Sequence, residues 1–112
     1  MSHYTDELNR IKKVAFNKQW QIDTSIAVRG YIDEHYSEPL NLDLLSEEHS
    51  TSKYHLLRLF KRYYGLTPRQ YLIDKRIEHA KRFLTEGKAV GEVCHLVGFE
   101  SVGSFSTLFK TK

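Results

Sequence analysis

The sequence predicts an all-α fold, and three observations carry that prediction. Only two Pro and six Gly occur in 112 residues, and almost no stretch alternates as a strand does. Between capping residues, apolar side chains recur at helical spacing. Two segments about 48 residues apart repeat one pattern: a short helix, a tight turn and a second helix. At 40% hydrophobic content, a chain of this length has enough apolar side chains for a core.

The elements follow in order. Asp6 to Gln19 reads as a polar, weakly amphipathic helix, with Leu8, Ile11 and Ala15 on one face. A second helix runs from Asp23 to His35, capped by Asp23 or Thr24, and is expected to bury Ile26, the Arg29 stem, Ile32 and Tyr36. Glu38-Pro39 breaks the chain. Asn41 caps a short helix over 42–49. Ser52 caps another over 53–64, where Leu56, Leu59, Phe60 and Tyr63 form a stripe. Gly65 suits a left-handed helix end.

Thr67-Pro68-Arg69-Gln70 is a capping box with Pro at the first helical position. The helix it opens runs to about Leu84, with Tyr71, Leu72, Ile77, Ala80 and Leu84 inward, and Gly87 ends it. Val90 to Val97 is a further short helix, Gly98-Phe99 a turn, and Ser101 to Phe109 the last helix, with Phe105, Leu108 and Phe109 apolar.

The repeat aligns LLSEEHSTSKYHLLRLFK, residues 44–61, with EVCHLVGFESVGSFSTLFK, residues 92–110. Leu45-Ser46 matches Val93-Cys94, Leu56 matches Phe105, and Phe60-Lys61 matches Phe109-Lys110. The second turn is one residue longer. Ser46 and Cys94 are small where two helices must cross closely. This is the helix-turn-helix pattern, here in two homeodomain-like units joined by a long central helix. The expected organisation is a polar helical extension or linker over 1–22, a first unit over 23–66, the connecting helix over 67–86 and a second unit over 87–112.

Charge is placed unevenly. Residues 1–50 carry five Lys/Arg and nine Asp/Glu, a net of −4, whereas residues 51–112 carry twelve and five, a net of +7. Residues 52–72 hold five of the 17 Lys/Arg and four of the seven Tyr, with no acid. A basic half fits either a solvated helix surface or a polyanionic partner, most often nucleic acid. The lone Cys94 excludes an internal disulfide and sits at a buried small-residue position. The six His form no metal-spaced cluster and no catalytic constellation, so neither an enzyme nor a cofactor is expected. No apolar run approaches a membrane span, and a reducing cytoplasm is the expected compartment.

These residues resemble the DNA-binding domain of AraC/XylS-type bacterial transcription regulators. The resemblance rests on YIDEHYSEPLNLDLLS, S-x3-L-x-R-LFK at 52–61, G-x-TP-x-QYL at 65–72, RIEHAKRFL at 76–84 and VGFES-x3-FS-x2-FK at 97–110. It covers Ile26 to Lys110. It implies sequence-specific binding of double-stranded DNA, with each unit's second helix in one of two successive major grooves about 34 Å apart. It also implies transcription activation through RNA polymerase, and a sensor domain or effector outside this chain. A different reading is a protein-interaction module that keeps the fold and binds DNA weakly.

Under the resemblance, Lys53, Tyr54, Leu57, Arg58, Lys61 and Arg62 face the DNA after the capping Ser52. Arg58 suits a guanine edge, Tyr54 and Leu57 thymine methyls, and Lys53, Lys61 and Arg62 phosphates. Thr67 and Arg69, at a helix start with free N–H groups, suit another phosphate. The second unit offers Ser101, Val102, Gly103, Ser104, Thr107 and Lys110. Relatives often carry a long polar or basic residue where Thr107 stands, so the first unit is expected to supply most of the affinity.

Other departures are Ser46 in place of the usual Ala, His49 and Thr51 at positions often apolar, and Ala89 where a Ser cap is common. These predict looser packing of the first turn and a ragged start at Val90. Relatives also continue past Phe109-Lys110 with a second G-x-x-P segment, so fraying of the 101–110 helix is expected. Phe16 and Trp20 precede the matched region and suit either packing on it or docking on a partner.

Overall fold

The structure is a computed structural model that describes residues 2–112, with side chains from Thr5 onward. Six helices make it up: α1 (Ser2–His35), α2 (Leu42–Glu48), α3 (Lys53–Tyr64), α4 (Pro68–Thr85), α5 (Val90–Leu96) and α6 (Val102–Lys110). Among the described residues no strand forms, and no helix is long and apolar enough to cross a membrane.

The two N-terminal helices expected from the sequence are one. Residues 19–24 hold cap-type side chains but no Pro or Gly, so nothing breaks the helix there. Those side chains bond within it instead: Gln19 Nε2 donates to Asp23 Oδ1 at 2.9 Å and Ser25 Oγ to the Gln21 carbonyl at 2.9 Å. The buried stripe also differs from the expected one. Ser25, Val28 and Ile32 face inward, while Ile26 is 53% exposed and Arg29 is exposed, its guanidinium 5.2 Å from the Tyr64 ring. The N-terminal part of α1 stands clear of the other helices, and Leu8, Ile11 and Phe16 are exposed. Trp20 touches the first unit through His55, their ring centroids 5.7 Å apart.

Two cores form around α4. The first joins Val28 and Ile32 of α1, Leu45 of α2, Leu56 and Phe60 of α3, and Leu72 of α4. The second joins Ile77 and Ala80 of α4, Val93, Cys94 and Val97 of the second unit, and Phe99 and Phe105. Each large side chain buried in full contributes about 1.5–3 kcal/mol. Tyr36 packs on both cores and stacks on His79, ring centroids 4.0 Å apart. Tyr63 is half-buried rather than inward, and Tyr71 and Leu84 likewise sit at the core's edge. The Tyr71 hydroxyl donates to Asp33 Oδ1 at 2.5 Å, clipping α4 to α1; burial, then the Asp33 contact, raises the pKa of Tyr71.

The repeat seen in the sequence is a repeat in the backbone. Ser50 and Gly98 occupy the same left-handed place in the two turns, at φ +51° and +96°. The next residue closes each turn: Thr51 N–H donates to Ser46 O at 3.0 Å and Phe99 N–H to Cys94 O at 3.1 Å. Ser46 and Cys94 are both buried at their crossings. His49 packs better than expected: its Nδ1 lies 2.8 Å from the Leu45 carbonyl and its ring meets Tyr31 edge-on. Ala89 makes no side-chain cap, so α5 begins without one. The far end of α6 is tied to α4 by Lys112 Nζ, 2.8 Å from Asp74.

The equivalence of the two turns yields opposite expectations for two substitutions. Ser50→Gly relieves a left-handed strain and should raise stability by about 0.5–1 kcal/mol, or about 3 °C in Tm. Gly98→Ala adds that strain and sets a Cβ 2.8 Å from the Ser37 carbonyl oxygen. It should cost roughly 2–3 kcal/mol by chemical denaturation. Equal effects at the two positions would contradict the equivalence.

Candidate nucleic-acid interface

The outer face of α3 is set by its inner one. Leu56, Leu59 and Phe60 are buried, which fixes the helix's rotation and leaves Lys53, Tyr54, Arg58, Lys61 and Arg62 outward. Ser52 caps the start, its Oγ accepting the His55 N–H at 3.1 Å, and Gly65 ends the helix at φ +76°. Tyr54 is 71% exposed, against the usual habit of a tyrosine. Arg58 has no carboxylate within ion-pair distance among the described residues, so its fork is uncommitted. Lys53 is shared with Asp43 of α2, at 3.3 Å, and the Arg62 guanidinium lies 5.9 Å from the Tyr63 ring.

At the start of α4 both halves of the capping box are made. Gln70 N–H donates to Thr67 Oγ1 at 3.2 Å, and Thr67 N–H to Gln70 Oε1 at 2.8 Å. This corrects the expected supply of free N–H groups. Pro68 has none, and the box consumes those of Thr67 and Gln70, leaving the Arg69 amide beside its exposed side chain.

In the second unit Phe105 is the buried anchor, and Ser101, Val102, Gly103, Ser104, Thr107 and Lys110 are exposed. The Ser101 Oγ caps α6 by accepting the Ser104 N–H at 3.1 Å. The hydroxyls are partly used at home: Ser101 bonds Ser104 at 3.1 Å, and Thr107 Oγ1 donates to the Gly103 carbonyl at 3.0 Å.

A groove of about 1530 Å³ runs between the two units and collects residues from both. Leu57, Thr67 and Arg69 line one side; Gly103, Ser104 and Thr107 line the other; Leu40, Leu72 and Phe99 lie between them. Six of the sequence-predicted residues therefore border one opening. Ser52, Lys53, Tyr54, Arg58, Lys61, Arg62, Ser101, Val102 and Lys110 stand outside the lining, most of them on the exposed faces of α3 and α6. Among the other lining residues, three charged or titratable side chains escaped sequence reasoning. Arg76 is hidden inside a helix stripe. His95 lies on the last turn of α5, and Glu100 comes just before the α6 cap, an acid in a basic half.

A sequence profile described as a helix-turn-helix domain matches residues 45–112. The chain belongs to the AraC type of helix-turn-helix regulators. Among curated relatives of this AraC-type domain is the bifunctional transcriptional activator/DNA repair enzyme AdaA of Bacillus subtilis. It is 37% identical over 86 residues, which are 76% of this chain and 41% of AdaA. The transcriptional activator RhaS of Escherichia coli is 33% identical over 82 residues, 72% of this chain and 30% of RhaS. The chain thus spans less than half the length of these relatives. Two solved structures are similar. The C-terminal domain of the response regulator yesN from Fusobacterium nucleatum has a TM-score of 0.74 at 32% identity, over 80% of this chain and 94% of that one. The C-terminal domain of the response regulator AraT from Geobacillus stearothermophilus has 0.76 at 29% identity, over 79% and 74%. The AraC-type domain is a DNA-binding module of transcription regulation.

Gly103, second in α6, has nothing within 4 Å of where a Cβ would stand, and its φ is not left-handed. Gly103→Ala should raise the thermal midpoint of this AraC-type domain, by about 0.5 kcal/mol of stability. A fall in Tm would show that the open space beside Gly103 is used.

Proposed function

We propose that the chain binds double-stranded DNA at specific sequences, with α3 and α6 in two successive major grooves on one face of the duplex. The single observation that carries this reading is the shared groove: Leu57 of α3, Thr67 and Arg69 at the start of α4, and Gly103, Ser104 and Thr107 of α6 border the same opening. The connecting helix α4 is about 27 Å long, of the same order as one turn of duplex DNA. One chain then reads an asymmetric site.

The roles follow from chemistry. Arg58, uncommitted and central on α3, holds a guanine O6/N7 edge. Tyr54 and Leu57 meet thymine methyls. Lys61 and Arg62 neutralise phosphates, Lys53 does so by leaving Asp43, and Arg69 with its amide takes another. In α6, Val102 and Gly103 give close apolar approach, Ser101, Ser104 and Thr107 give hydroxyls, and Lys110 gives the one cation of the helix. Binding energy is therefore concentrated in the first unit. The similarity to RhaS, described as an activator, favours activation, with RNA polymerase as the protein partner and any sensor or effector outside this chain.

Selection from random duplex DNA followed by titration tests this. One strongly preferred site is expected, with affinity falling steeply as salt rises. Arg58→Ala should weaken that site about tenfold or more and relax one base position, and Thr107→Ala should cost less. A larger loss at Thr107 would sink the ranking. Failure to enrich any duplex would sink the reading and favour a protein-interaction module of the same fold.

A further inference from the structure

Arg76 lies where three parts of the chain meet. From the middle of α4 its Nε donates to the Tyr36 carbonyl at 2.7 Å and its Nη2 to the Glu38 carbonyl at 2.8 Å. Both carbonyls belong to the connection that leaves α1 and leads through Pro39 and Leu40 to Asn41, the cap of α2. The same guanidinium lies 5.6 Å from the Phe99 ring. Its Nη2 is 3.1 Å from where a Cβ on Gly98 would stand, and the Ser37 carbonyl oxygen is 2.8 Å from that point. The connection of the first unit and the turn of the second are therefore in close contact, with Arg76 between them.

Each contact leads to a reading helix. Asn41 caps α2, which crosses α3; Phe99 is two residues before Ser101, the cap of α6. A flexible side chain here would let the two units swing about α4. A planar fork held by two carbonyls and a ring face has one orientation. Burial lowers the pKa of this guanidinium, with the Arg69 charge adding to that, yet it remains protonated.

We propose that Arg76 is a positioning residue that holds α3 and α6 at one separation, so that the chain accepts a single spacing between the two halves of its DNA site. This rests on the DNA-binding reading above. Moving one half-site by one base pair shifts it by about 3.4 Å and turns it by about 35°. A joint with one orientation cannot follow that movement. A loosened joint can, at the cost of weaker binding to the optimal site.

The test uses the full chain and a selected duplex with one base pair inserted or removed between its halves. The unaltered chain should lose roughly tenfold in affinity at either spacing, as much as on scrambling the second half-site. Arg76→Met, which keeps the stem and loses both carbonyl bonds, should bind the optimal site more weakly and lose less than about threefold on respacing. Arg76→Lys, which can reach one carbonyl, should fall between, and it carries the test if the Met variant does not fold. A folded variant that keeps the steep spacing profile overturns the assignment.

A second readout needs no DNA. Spin labels at Glu48→Cys and Glu92→Cys, exposed on α2 and α5, with the buried Cys94 replaced by Ala, report the distance between the units. The distribution should be narrow with Arg76 and broad without it. Should no duplex be selected, the DNA-binding reading fails, and the label distances decide: a broadened distribution supports the Arg76 joint, and an unchanged one overturns it.

Discussion

Two cores share one helix, and the angle between them is set by what α4 can hold at its middle. Leu72 closes the first core; Ile77 and Ala80 open the second; Arg76 sits between. A purely apolar joint there would permit sliding, because dispersion contacts have little direction. Two charge-assisted bonds to backbone carbonyls do have direction, and burial strengthens them. Tyr36 adds to the same joint from α1, packing on both cores and stacking on His79. The positions of α2 and α6, and hence of the outward faces of α3 and α6, depend on this junction.

The two units use the same backbone solution with different residues. Both turns need a left-handed residue; one has Ser50 and the other Gly98. The choice is not symmetric because the surroundings are not. Gly98 is pressed against the Ser37 carbonyl, where no Cβ fits. Ser50 is exposed, so its side chain is tolerated at some strain. The outer faces differ in the same way. In α3 the cations are long and Arg58 is uncommitted, whereas at α6 the outward hydroxyls of Ser101, Ser104 and Thr107 all bond within the helix or its cap. The proposed weighting of binding towards the first unit rests on this difference in side chains, on backbones that match.

Much of the architecture was legible. Asn41, Ser52 and Thr67 each act as the helix cap that their position announces, because a short side-chain acceptor before a run of apolar periodicity has few other uses. The outer face of α3 was legible for the same reason: once Leu56, Leu59 and Phe60 are inward, period 3.6 leaves Tyr54 and Arg58 no other direction. Three things were not legible. Asp23 and Thr24 look like a helix start, yet a cap-type residue interrupts a helix only where something else breaks it. Ile26 looks like core, but the α3 side of α1 takes Ser25 and Val28, since a small residue admits the closer approach. And the capping box at the start of α4 uses up the Thr67 and Gln70 N–H groups that the helix start was expected to leave free, so only the Arg69 amide remains.

By itself the sequence determined the ends of α2 to α6, the repeat, the family and the outward face of α3, because caps and periodicity are local and act within a turn or two of the chain. The tertiary structure alone decided that α1 is one helix, which of its stripes is buried, that residues of α3 and α6 border one groove, and that Arg76 bonds Tyr36 and Glu38. The two Arg76 bonds span 40 and 38 residues, and their partners are backbone carbonyls. Every residue carries a carbonyl, so no residue type marks the ones that Arg76 will find.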